Sequence, residues 1–160
     1  MNTKHLLIAS LAGGLISTVL VNTPFVNLIN LLICAGFWIG PIVAVWLYRR
    51  LGGALMLRQA VITGILAGAW HGLFGLLLSP FGLAGGGGLL NEVRPFISAQ
   101  DLPDLETALT GVGGVLFNLI GVGIDLAFGF LGGLIGGTIF RTDRFAGKVR
   151  IDEPTLSVNK

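Results

Sequence analysis

Four long apolar stretches constrain this chain more than any other feature of its sequence. They cover residues 6–21, 25–48, 60–81 and 111–140. A helix needs about 20 apolar residues to cross ~30 Å of hydrocarbon, and stretches of this kind supply them. Strands of a membrane barrel would instead alternate apolar and polar residues over about 10 positions, and these stretches do not alternate. The sequence therefore predicts an all-α membrane protein, with four transmembrane helices in a compact bundle that forms a single domain over residues 1–141.

The composition excludes the common soluble classes. Only 11% of the residues are charged and 53% are hydrophobic, whereas a soluble domain typically carries about 25% charged residues. This leaves too little polar surface for a water-soluble enzyme. The net charge of +2 provides no basic patch for DNA or RNA, so we expect no nucleic-acid partner. The single cysteine, Cys34, excludes an intramolecular disulfide and a cysteine-based zinc cluster.

The distribution of basic residues predicts the orientation in the membrane. With four spans, both termini and the second connection lie on one side, and that side carries nine of the ten basic residues. They are Lys4, Arg49, Arg50, Arg58, Arg141, Arg144, Lys148, Arg150 and Lys160. The positive-inside rule therefore places both termini in the cytoplasm of a multi-pass protein of the inner (plasma) membrane. Trp46 and Tyr48, next to Arg49, fit an aromatic belt at the cytoplasmic interface.

The third connection, residues 82–110, is the only long one. It begins with four glycines at 85–88 and continues to Asp101, Pro103 and Asp104. A capping residue followed by proline and acidic residues is typical of a helix N-terminus. We therefore expect a short interfacial helix in this loop, leading into the fourth span. The polar tail at 142–160 lacks apolar periodicity, which predicts a disordered cytoplasmic segment.

Small residues recur four positions apart in the spans, and such ridges allow helix axes to approach closely. The glycines of these ridges are Gly13, Gly36, Gly40, Gly64, Gly68, Gly72, Gly129, Gly133 and Gly137. A ridge can pack inside the bundle or face another protomer or a partner subunit. Four ridges in a four-helix bundle can all be satisfied internally, so we favour helix packing within the chain.

Asp125 is the only carboxylate inside a span. It lies sixteen residues before Arg141, roughly 24 Å along a helix, and His71 lies thirteen residues after Arg58, roughly 20 Å from the same side. Asn118 precedes Asp125 by seven residues and shares nearly the same helix face. These depths predict an intramembrane polar pair of His71 and Asp125, with Asn118 nearby, that can bind a proton or a cation.

A purely structural role for this pair is the alternative. A polar clamp between spans three and four would contribute about 1 kcal/mol or less in lipid. The sequence shows no wider polar pathway leading to the pair, and this favours the clamp.

Familiar catalytic motifs are absent from the sequence. It contains no H-E-x-x-H, no G-x-S-x-G, no Walker lysine after the glycine run and no G-x-G-x-x-G after a strand. We therefore expect no enzymatic activity, no cofactor and no metal-ligand set.

The segment TPFVNLIN at 23–30, the segment WLYRR at 46–50 and the glycine-rich spans that follow carry one resemblance. The chain resembles the small, uncharacterised, glycine-rich four-span membrane proteins that are common in bacterial genomes. The resemblance implies a bacterial inner-membrane protein and transfers no catalytic residues.

Two functions follow as hypotheses. The leading one is a non-enzymatic membrane protein that acts through packing, as a scaffold, an accessory subunit or an oligomer. Its partners would be the lipid bilayer and either copies of itself or a larger membrane complex. The alternative is a small transporter or channel component with a proton or cation site at His71 and Asp125.

Overall fold

The computed structural model describes residues 2–23, 35–52, 55–81, 94–98, 100–110 and 112–140, and the regular elements in these ranges are all helical. The α-helices are α1 (Thr3–Asn22), α2 (Ala35–Arg50), α3 (Leu57–Leu78), α4 (Leu102–Thr110) and α5 (Val112–Phe140). Single 3₁₀ turns occupy Ser79–Phe81 and Arg94–Phe96. The prediction of an all-helical protein is confirmed for this part of the chain.

Three helices are long and apolar enough to cross a membrane. They are Thr3–Asn22, Leu57–Leu78 and Gly113–Phe140, with mean hydropathies of 1.7, 1.8 and 1.9. They correspond to the first, third and fourth predicted spans. The 16-residue helix α2 covers the second half of the remaining predicted span. The first half of that span, Cys34, the glycine run at 85–88 and the tail at 142–160 lie outside the described residues.

Local chemistry explains where α3 begins and how the chain turns after α2. Helix α3 begins three residues before the predicted start at 60, because the N–H of Met56 donates to Oε1 of Gln59 at 3.0 Å. This is the reach-back half of a capping box. After α2, Gly52 adopts a φ of +86°, a conformation that glycine reaches without steric cost.

Helix α4 begins directly after Asp101, as the sequence indicates. The Asp101 carbonyl accepts the N–H of Leu105 at 3.2 Å, while its carboxylate accepts the hydroxyl of Ser98 at 2.6 Å. The carboxylate therefore fixes the preceding turn in addition to standing at the positive end of the helix. The helix packs on α5.

The long helices pack in both orientations: α1 with α2 and α3 with α5 run antiparallel, whereas α1 with α3 and α2 with α5 run parallel. The interface of α3 with α5 is the most extensive, α1 packs on α2 and α3, and α2 packs on α5. Gly13 of α1 lies against Ala44 of α2 and Ser17 lies against Gly40, so these two helices run in opposite directions. The starts of α1 and α3 therefore share one end of the bundle with the ends of α2 and α5. We call this the basic end, because it carries Lys4, Arg49, Arg50 and Arg58.

The side-chain core lies toward the basic end of the bundle, and Tyr48 belongs to it. Tyr48 is only 1% exposed and packs in a cluster with Leu6, Val45 and Leu55. The prediction that Tyr48 belongs to an interfacial aromatic belt was therefore wrong. Residues two apart on a helix face different directions, and it is Trp46 that points outward, 41% exposed, with the Arg50 guanidinium 5.4 Å from its ring centroid.

Candidate functional site

Glycines bring α3 and α5 into backbone contact. A Cβ added at Gly64 would meet the backbone of Gly129 and Gly133, and one added at Gly68 would meet the backbone carbonyl of Asp125. Such contacts let two helices approach more closely than side-chain packing allows. The predicted ridges on these two helices therefore face each other.

The remaining predicted ridge glycines also lie inside the bundle. A Cβ at Gly13 would lie 2.6 Å from the carbonyl oxygen of Gly40, and one at Gly137 would lie 2.8 Å from Cβ of Ala60. Gly36 is buried in α2. Each of these glycines is therefore buried by other parts of the same chain.

Sequence reasoning missed a second glycine face on α5. A Cβ added at Gly132 would lie 2.7 Å from Cβ of Pro41, and one at Gly136 would lie 3.0 Å from Cβ of Val45. The ridge at 129, 133 and 137 faces α3, whereas Gly132 and Gly136 face α2. The adjacent glycine pairs at 132–133 and 136–137 are the sequence signal for two packed faces.

The structure brings His71 and Asp125 together. Nδ1 of His71 lies 3.0 Å from Oδ1 of Asp125, a distance at which an Nδ1–H donates to the carboxylate. Both residues are 8% exposed. The glycine ridge positions the pair: Gly68 draws the α5 backbone close at Asp125, and Gly72 leaves space for Oδ2, which lies 3.1 Å from the place of an added Cβ.

A phenylalanine from α2 packs on His71 and is itself stacked on a phenylalanine from α5. The ring of Phe37 stands edge-on to the His71 imidazole, with centroids 5.5 Å apart and an interplanar angle of 84°. Phe37 also stacks on Phe128, again at 5.5 Å. These contacts join three helices, and no spacing or motif in the sequence indicated them.

A cavity of about 260 Å³ adjoins the pair. It occupies the end of the bundle opposite the basic end, between the last turn of α1, the first turn of α2, the second half of α3 and the first half of α5. His71 and Asp125 form its inner limit. Asn118 also lines it, and the Asn118 amide donates to the Ser79 hydroxyl at 3.1 Å. Asn118 therefore shares the cavity with the pair, and its amide is held by α3.

The charge balance of the pair determines what it can do chemically. With a neutral imidazole the pair carries one negative charge, and with a protonated imidazole it carries none. Among the described residues that line the cavity there is no lysine or arginine to balance that charge. An ionised carboxylate in a water-poor interior is costly unless a positive charge or hydrogen-bond donors balance it.

Comparison with known protein families, with curated proteins and with solved structures finds no match.

Proposed function

We propose that the protein is a small membrane transporter or channel component that binds one positive charge, a proton or a monovalent cation, at His71 and Asp125. One observation carries the proposal: a buried, paired carboxylate forms the inner limit of a cavity. A clamp that only holds two helices together gains nothing from an adjoining cavity. Ionisable groups inside a membrane generally mark ion or proton paths.

The membrane setting belongs to the same proposal. We infer four spans, with α2 and the residues before it forming the second, both termini in the cytoplasm, and α4 at the interface of a bacterial inner membrane. Three apolar helices, outward-facing side chains such as Leu15, Leu77 and Ile120, and the basic end support this arrangement. In this orientation the cavity faces the outer side of the membrane.

A non-enzymatic packing function, as a scaffold, accessory subunit or oligomer, remains the other hypothesis. Its support from the sequence was the abundance of small-residue ridges. Those ridges pack against one another inside the chain, at contacts such as Gly64 with Gly129 and Gly13 with Gly40. Because this leaves less glycine surface for a partner, the cavity and the pair carry more weight.

Proton flux into proteoliposomes tests the proposal. Wild-type protein, Asp125→Asn and Asp104→Asn would be reconstituted with a pH-sensitive dye inside, and a potassium diffusion potential would drive the flux. Asp104 is the matched control because it is an exposed carboxylate on α4. We expect flux above that of empty liposomes for the wild type and Asp104→Asn, and its loss in Asp125→Asn. The same liposomes loaded with a sodium- or potassium-selective dye, under a gradient of that cation, separate a metal cation from a proton.

A folding control and a second assay complete the test. Equal elution profiles and melting temperatures show that Asp125→Asn remains folded. If the folded wild type gives no flux of any monovalent cation above empty liposomes, the transport proposal fails and the pair is a clamp. Native mass spectrometry after mild detergent extraction then tests the packing function, because co-purifying subunits are its expected result.

A further inference from the structure

The walls of the cavity indicate the class of ligand that it accepts. We infer that it binds a small organic cation, an ammonium group on a compact apolar body, with the ammonium at Asp125 and the body against Phe37 and Phe117. The inference rests on the proposed positive-charge site and names its occupant.

Asp125 retains acceptor capacity for such a ligand. A carboxylate offers about four lone-pair positions on two oxygens, and the hydrogen bond from His71 engages Oδ1. Gly72 presents no side chain to Oδ2. An ammonium donor that reaches this carboxylate would balance the charge of the pair when the imidazole is neutral.

The rest of the lining suits an apolar body. Val21, Leu76, Val122 and Ile124 line the cavity together with the two phenylalanine rings. Aromatic faces attract organic cations as well as apolar groups. A hard metal ion such as Ca²⁺ instead takes about 6–8 oxygen ligands, and the described residues contain no group of three His, Cys, Asp or Glu side chains able to share a metal.

Two glycines leave the open volume of the cavity, because they carry no side chain that could fill it. Gly75 and Gly121 both line the cavity, and a Cβ added at either would meet nothing within 4 Å. An engineered apolar cavity of roughly 150 Å³ accommodates benzene. The volume of about 260 Å³ therefore accommodates a benzene ring together with an aminomethyl group.

Benzylammonium is the probe, with benzyl alcohol and benzoate as matched neutral and anionic compounds. Isothermal titration calorimetry on the full-length protein in detergent would measure the three affinities. A charge-assisted hydrogen bond contributes about 1.5–3 kcal/mol, which is about a 10- to 150-fold change in Kd. We expect benzylammonium to bind at least about tenfold more tightly than benzyl alcohol, benzoate not to bind, and Asp125→Asn to remove the preference.

A pair of leucine substitutions locates the binding. Gly121→Leu fills the cavity and should abolish binding of both benzylammonium and benzyl alcohol. Gly123→Leu is the matched control, because a Cβ added there also meets nothing within 4 Å and the residue does not line the cavity. Melting temperatures within a few degrees of the wild type show that both variants are folded.

The outcomes separate this inference from the proposed function. Equal affinities for benzylammonium and benzyl alcohol, or unchanged binding in Gly121→Leu, would overturn the inference. If benzylammonium does not bind while Asp125-dependent cation flux persists, the inference fails and the proposed function stands. If benzylammonium binds as expected and no cation flux occurs, the binding site stands and the transport function fails.

Discussion

Replacing Gly68 by leucine tests whether α3 and α5 depend on backbone contact. Gly68 lies at the centre of the ridge on α3, next to Asp125 on the facing helix. A Cβ at this position would lie 3.0 Å from the carbonyl carbon of Asp125 and 3.2 Å from Cα of Gly129, whereas ordinary contacts begin at 3.4 Å. Because these atoms are backbone, no side-chain rotation can make room, and the two helices must separate.

The cost follows from the dispersion energy lost across the widened interface. The dispersion attraction of one well-packed atom pair is about 0.1–0.2 kcal/mol. A gap of about 0.5–1 Å removes a quarter to a half of that attraction. With on the order of 50 atom pairs across the interface, the middle of these ranges gives a loss of about 3 kcal/mol. For a chain of this size, about 1 kcal/mol corresponds to about 2–4 °C. We therefore expect the melting temperature of Gly68→Leu to fall by about 5–15 °C.

Thermal unfolding in detergent, followed by tryptophan fluorescence, measures this difference. Gly75→Leu is the matched control, because it is the same substitution on the same helix at a position where an added Cβ meets nothing within 4 Å. We expect the control to shift the melting temperature by no more than about 3 °C, within the range typical of substitutions that create no clash. Equal shifts in the two variants would refute the argument that the Gly68 contact holds the helices together.

Two further predictions concern topology and the core. The topology is tested with Ser98→Cys and Ser157→Cys, each made in a Cys34→Ala background. An impermeant thiol reagent applied to intact cells should label the first variant and leave the second unlabelled. Labelling at position 157 would contradict the four-span topology. Tyr48→Ala should cost about 3–5 kcal/mol in unfolding free energy because it empties a buried site. Trp46→Ala should cost about 1 kcal/mol or less, the value of an exposed cation–π contact, and similar losses in both would contradict the burial of Tyr48.

Depth along each helix could be predicted from the sequence, whereas direction around the helix could be predicted only where small residues recur, as in the facing ridges of α3 and α5. Counting 1.5 Å per residue placed His71 and Asp125 at similar levels, and the structure joins them at 3.0 Å. A helix that is apolar on every side has no amphipathic signal to orient it, so Tyr48 was assigned to the wrong surroundings. The contacts of Phe37 and the second glycine face of α5 depend on the same rotation about the helix axis.

The glycine contacts between α3 and α5 also limit how mutations can be compensated. In an ordinary core, a substitution that adds volume can be relieved by a second one that shortens the facing side chain. At Gly64 the facing atoms belong to the backbone of Gly129 and Gly133, so the partner residues are already the smallest that the genetic code offers. A genetic screen for suppressors of a bulky residue at Gly64 should therefore return only the original glycine or changes that reposition a whole helix.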